Sequence, residues 1–178
     1  MERAHSLANW SKDPSTKVGC VVVSAQHAVA EGYNGFPRGA DDNPILYRDR
    51  AQKYERIVHA EANAVAFAAR YGIELQGSRA YVTFPTCPIC AGLLIQVGIT
   101  SIVVRMPRCL YCAAQAAGRE HVSLRYGTPE HATYKHVLST GNGPEEVPCA
   151  LPRNPAWLER FEISKQLFAE VGIPVIET

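Results

Sequence analysis

The chain has 178 residues, 47% of them hydrophobic, enough for one compact core that carries a single insertion. Lys and Arg number 18 against 17 Asp and Glu, a formal net charge of +1, so nothing pulls the whole chain toward a nucleic-acid polymer or a membrane surface. A small molecule is the better default partner, and no run of about 18 apolar residues argues for a transmembrane span.

Residues 3–11 have helical character, with Ala4, Leu7, Ala8 and Trp10 on one face. Ser11 to Thr16 reads as a stop and turn, because the residue before Pro14 avoids the helical region. Val18 to Val23 is a short β-rich run, and Ala28 to Asn34 is its expected hairpin partner. Asn34 to Arg50, rich in Gly, Pro, Asp and Asn, is expected to be a loop.

A buried helix is expected from His59 to Arg70, built on small apolar residues and stopped at Gly72. Arg79 to Phe84 is a strand ending at Pro85. Pro88 to Gln96 is a helix with Pro near its first turn. Ile99 to Val104 returns as a strand, so residues 79–104 form a strand–helix–strand unit with a right-handed parallel crossover. Residues 106–155 are rich in Pro and Gly and read as an irregular insertion with one short helix near 111–117. Ala156 to Val171 is an amphipathic helix, and Ile173 to Ile176 a last strand. The whole is expected to be one domain, residues 1–178.

Two short patterns carry chemistry. His59-Ala60-Glu61 sets an imidazole and a carboxylate two positions apart at a helix start. Cys87-Pro88-Ile89-Cys90 sets two thiols one turn apart at the next helix start. A catalytic zinc needs three protein ligands and an open position, with a carboxylate nearby to move protons. Alone, His-x-Glu is an ordinary solvated pair, and C-x-x-C fits a structural zinc or a redox motif as well. Together, separated by one strand, they are far more specific: His59, Cys87 and Cys90 as ligands and Glu61 as the catalytic residue. Met1 to Leu7 makes a poor signal peptide, so a cytoplasmic location is expected and the cysteines favour metal over disulfides.

The arrangement matches the zinc nucleobase deaminase signature H-x-E…P-C-x-x-C, with one departure: Thr86 precedes Cys87 and the proline stands one position earlier, at Pro85. The loop entering Cys87 is therefore open to a different shape. Beyond the ligands, Ser11 through Gly19, Gly32 through Gly39, His59 through Ala64 and Cys87 through Ile99 resemble the deoxycytidylate (dCMP) deaminase family of the cytidine deaminase-like superfamily.

The resemblance implies an α/β fold, a three-layer α/β/α sandwich around a mixed five-stranded sheet. It also implies zinc-dependent conversion of dCMP to dUMP, in a homo-oligomer. Asn34 matches an asparagine that contacts the substrate's sugar, and its amide both donates and accepts; the alternative is a plain turn residue in Asn-Gly. Ala60, Phe84, Pro85 and Thr86 flank the ligands as substrate-contact candidates. Lys12, Lys17 and Arg38 are candidates for the 5′-phosphate, with Arg48 and Arg50 behind them. Other readings are deamination of a free base, a nucleoside, a purine or adenosine in tRNA, and a non-catalytic zinc or nucleotide module, which would have no need of Glu61.

Cys109-Leu110-Tyr111-Cys112 lies in the insertion. A second, structural zinc there would use Cys109, Cys112 and two later ligands, His121 and His131, with His136 and Cys149 also available. A pair of unliganded cysteines on a short helix is the alternative. The insertion is equally open to covering the active site or making a subunit contact.

Overall fold

The computed structural model describes residues 1–106, 122–125, 135–140, 143–148 and 156–178. The chain divides into two compact units, Met1–Met106 with Arg160–Thr178, and Pro107–Glu159.

The first unit begins with helix α1 (Glu2–Ala8), followed by the antiparallel pair β1 (Gly19–Val23) and β2 (Val29–Tyr33). Period-two alternation in β1 sends Val21 to one face, with Ala4 and Leu7 of α1, and Cys20 and Val22 to the other. Helix α2 (Pro44–Arg48) then interrupts what the sequence suggested was loop, and α3 (Arg50–Arg56) starts at that loop's expected end. Their starts explain the difference. Asn43 accepts from the Ile45 N–H with Pro44 in the first turn, and Asp49 accepts from the N–H groups of Ala51 and Gln52. Polar residues that suggested a loop serve here as helix caps.

Helix α4 (Ala60–Tyr71) ends at Gly72, which is left-handed at φ 67° as the stop signal requires. Strand β3 (Arg79–Val82), helix α5 (Pro88–Gln96) and strand β4 (Ser101–Val104) follow, with β3 and β4 parallel. Helix α6 (Ala156–Glu170) leads to β8 (Val175–Glu177), which adds parallel to β4. The five strands lie in the order β2-β1-β3-β4-β8, a mixed sheet. Ala64, Ala68, Leu94, Phe161 and Phe168 from α4, α5 and α6 join Val22, Val82, Ile102 and Val104 in one buried cluster, while α1 packs with Val21 and its neighbours. These are the three layers of the expected sandwich.

Gly32 sets how closely α4 approaches the sheet. A Cβ there would collide with the backbone of Ala60 and Ala64, so only glycine lets the helix start seat against β2.

The second unit contains an antiparallel sheet in the order β5-β6-β7, made of β5 (Val122–Arg125), β6 (Lys135–Thr140) and β7 (Gly143–Pro148). This corrects the expectation of irregular chain for those residues. Main-chain pairing does not require apolar alternation, and these strands have little of it. The register of β6 with β7 runs from Lys135 opposite Pro148 to Thr140 opposite Gly143. The short helix expected near 111–117 and the metal candidates Cys109, Cys112, His121, His131 and Cys149 lie outside the described residues, and His136 lies on β6. Among the described residues no helix is long and apolar enough to cross a membrane.

Candidate active site

His59 is the N-cap of α4 and Cys87 the N-cap of α5, both in extended conformation, with Pro88 in the first turn of α5. Cys90 follows one turn into α5. The sheet brings the two helix starts together: His59 Nδ1 lies 3.5 Å from Cys87 Sγ and 3.4 Å from Cys90 Sγ. All three ligand atoms fall within 4.8 Å of one another. Zinc bonds of about 2.3 Å to sulfur and 2.0–2.1 Å to nitrogen, at tetrahedral angles, place nitrogen and sulfur about 3.6 Å apart. The donor set therefore fits zinc in identity and in spacing.

The two thiols and the imidazole are coupled to one another. A hydrogen bond from Cys90 drops the Cys87 thiol far below its ordinary range, with His59 adding to the effect. Its hydrogen bond to the Cys87 sulfur raises the His59 imidazole. Cys90 is pushed up by its hydrogen bond to Cys87, by burial and by the charge of Glu61. Cys87 thus carries the negative charge of the pair, and a metal held here would need Cys90 as a thiolate too.

Glu61, in the first turn of α4, is 4% exposed. Burial pushes its carboxyl up, while its own backbone N–H and the nearby His59 charge pull it back. The Thr86 hydroxyl lies close enough to favour the ionised form but outside full hydrogen-bonding geometry. A carboxyl whose proton affinity is raised by burial is better suited to taking up a proton and passing it on.

Asn34 ends β2 and faces the loop of residues 11–18. Its Oδ1 accepts from the Val18 N–H at 2.7 Å, and its Nδ2 donates to Thr16 C=O at 2.9 Å and to Asp13 Oδ2 at 3.4 Å. Both amide hydrogens are spent, which leaves one lone pair on Oδ1. A two-way bridge between Gly35 and Val58, at 3.1 and 2.8 Å, ties this turn to the residue before His59.

Of the other candidates, Ala60, Pro85 and Thr86 are buried and Phe84 is half-buried, all within three residues of a ligand. Lys12 pairs with Asp42 at 2.6 Å. Lys17 reaches the Asn9 carbonyl, and Arg38 is exposed with no ion pair among the described residues.

Three side chains escaped the sequence reading. Lys53 is buried against Asp13. Ser164 donates to the Thr86 carbonyl at 2.8 Å, pinning the loop before Cys87 to α6. Arg160, one turn earlier, is exposed and sends its charge to His59. Only Ser164 left a signal, as a lone hydroxyl between Phe161 and Phe168 on an apolar face.

The family model for the cytidine and deoxycytidylate deaminase zinc-binding region matches residues 1–106. A protein named an uncharacterized deaminase in the luxG 3′ region of Aliivibrio fischeri is 30% identical over 174 residues, covering 98% of this chain and 87% of that protein. The deoxycytidylate deaminase of Homo sapiens is 37% identical over 109 residues, covering 58% of this chain and 60% of that protein. The probable deoxycytidylate deaminase of Drosophila melanogaster is 41% identical over 107 residues, covering 54% of this chain and 52% of that protein. The chain thus spans between half and three fifths of those two deaminases. In fold it is similar to the dCMP deaminase of cyanophage S-TIM5 solved with dCMP and dUMP, at TM-score 0.56 and 19% identity over 99% of this chain and 92% of that one.

Proposed function

The chain belongs to the cytidine and deoxycytidylate deaminase family, and we propose that it hydrolyses the exocyclic amine of dCMP, giving dUMP and ammonia. The observation that carries this is Glu61, a buried carboxyl in the first turn of the helix that His59 caps, with Cys87 and Cys90 within reach of the same imidazole.

His59 Nδ1, Cys87 Sγ and Cys90 Sγ would hold the zinc. Bound zinc lowers the pKa of a water from about 15.7 to roughly 7, which supplies the nucleophile at neutral pH. Glu61 takes a proton from the attacking water at a carboxylate oxygen. It passes that proton to the pyrimidine ring nitrogen and carries a second one to the departing amine, so each transfer is made by one group within reach of both partners. Burial, which raises its affinity for the proton, suits it to both. Ala60, Phe84, Pro85 and Thr86 flank the base. Asn34 offers its remaining Oδ1 lone pair to a sugar hydroxyl, acting as acceptor alone. Lys17 and Arg38 are assigned to the phosphate, since Lys12 is engaged with Asp42.

A monomeric nucleotide fits the near-zero net charge better than a polymer does. The protein is assigned to the cytoplasm. Trp10, Ile45 and Ile89, each more than two thirds exposed, support self-association into a homo-oligomer.

Ammonia release measured across dCMP, CMP, deoxycytidine, cytosine and guanine tests the assignment. The highest kcat/KM is expected on dCMP. Turnover of deoxycytidine equal to dCMP would remove the nucleotide assignment, and a preference for guanine would replace it.

A further inference from the structure

Asp13 and Lys53 form a buried ion pair that the chemistry at Glu61 does not use. Lys53 is 8% exposed and Asp13 2%. Lys53 Nζ lies 2.7 Å from Asp13 Oδ2, 2.8 Å from Oδ1 and 2.6 Å from Ser15 Oγ. Desolvating two charges consumes most of what their attraction returns, so a pair of this kind does little for net stability, and well-packed apolar residues would serve a core as well. What it does fix is geometry.

Asp13 is the hub. Its Oδ1 also takes the Ser15 N–H and hydroxyl, both at 2.8 Å, and the Thr16 N–H at 3.3 Å, while Oδ2 takes Asn34 Nδ2. Lys53 anchors that hub from α3, 40 residues along the chain. The pair therefore joins α3 to the loop of residues 11–18, and that loop supplies the Val18 N–H and the Thr16 C=O that orient the Asn34 amide.

We propose that Lys53 is a positioning residue for substrate recognition: through Asp13 it holds the Asn34 amide so that the free Oδ1 lone pair meets a hydroxyl of the nucleotide's sugar. The inference rests on the nucleotide reading above and deepens it. Without Lys53 the Asp13 carboxylate loses its counterion, the loop it holds through Ser15 and Thr16 shifts, and the Asn34 amide bonded to that loop moves off the hydroxyl.

The test compares dCMP with dideoxycytidine monophosphate, which lacks the sugar hydroxyls, on the zinc-loaded protein and its variants. The unaltered protein should favour dCMP by about 10-fold in kcat/KM, the worth of one hydrogen bond. In Lys53→Met the KM for dCMP should rise by about that factor, with kcat within about two-fold, zinc content unchanged and discrimination near unity. Lys53→Arg should restore most of it, because the charge remains.

The double variant Asp13→Leu with Lys53→Met leaves no unpaired buried charge, so it keeps the test open if Lys53→Met fails to fold; it too should lose discrimination. An active protein whose Lys53→Met or double variant keeps the full preference for dCMP overturns this inference alone. An unaltered protein indifferent to the missing hydroxyls overturns it as well. Failure to deaminate dCMP at all overturns the nucleotide reading and this inference with it.

Discussion

His59, Cys87 and Cys90 meet because two helices start beside each other on one sheet, whereas Asn34 is held by two backbone groups and a carboxylate of one loop, which Lys53 in turn anchors from a helix. The first arrangement is local in sequence and rigid by packing: each ligand sits at a helix cap or one turn beyond it. The second is long-range, and its strength is electrostatic. The difference separates chemistry from recognition, since damage to the helix starts should remove turnover, while damage to the loop network should alter which substrate is preferred.

The largest effect is expected at the ligands. Cys90→Ala leaves two donors where a catalytic zinc needs three, so metal analysis should find the site empty and ammonia release should fall to background. Glu61→Gln should keep zinc and lose about 10²–10⁴-fold in kcat, the range for general acid–base catalysis. Near-normal turnover in a zinc-loaded Glu61→Gln protein would refute the assigned proton transfer.

Gly32→Ala attacks the seating of α4 itself. The added methyl meets helix backbone, so thermal unfolding should report a loss of about 1–3 kcal/mol, the usual cost of overpacking, together with weaker zinc retention.

The mildest expected effect falls on the loop network, through acid. Burial raises the Asp13 carboxyl, but Lys53 and Ser15 outweigh it and leave it below its ordinary 3.8. A carboxyl depressed by folding contributes stability that is complete above the unfolded value and is lost as pH falls through the folded one. Denaturant midpoints should therefore decline below about pH 4, and Asp13→Asn should flatten that limb. A decline that persists unchanged in Asp13→Asn would shift the cause to other carboxylates.

The chemical centre was legible because its signals are short. His59-Ala60-Glu61 and Cys87 to Cys90 each occupy a helix start, and a helix start is announced by neighbouring residues such as Pro88. The five-strand core was legible for a similar reason: Val18 to Val23 and Ile99 to Val104 are apolar runs of strand length. The stretch from Asn43 to Arg50 was misread because Asn and Asp signal a turn and a helix cap with equal force; which one they become depends on what the following residues bury. Strands β5 to β7 were hidden because backbone pairing writes no period into residues such as Gly143 to Pro148.

The sequence by itself therefore determined the candidate zinc donors and the catalytic carboxyl candidate, since short patterns at helix starts encode them, while the sandwich followed from the family resemblance those patterns carry. Only the tertiary structure could decide that both Asn34 hydrogens are spent, that Lys53 stands buried on Asp13 and that Ser164 holds the loop before Cys87. Those contacts join residues 18 to 78 positions apart, and a polar side chain's partner at that separation leaves no pattern in the chain; it is selected by whichever surfaces the core brings together.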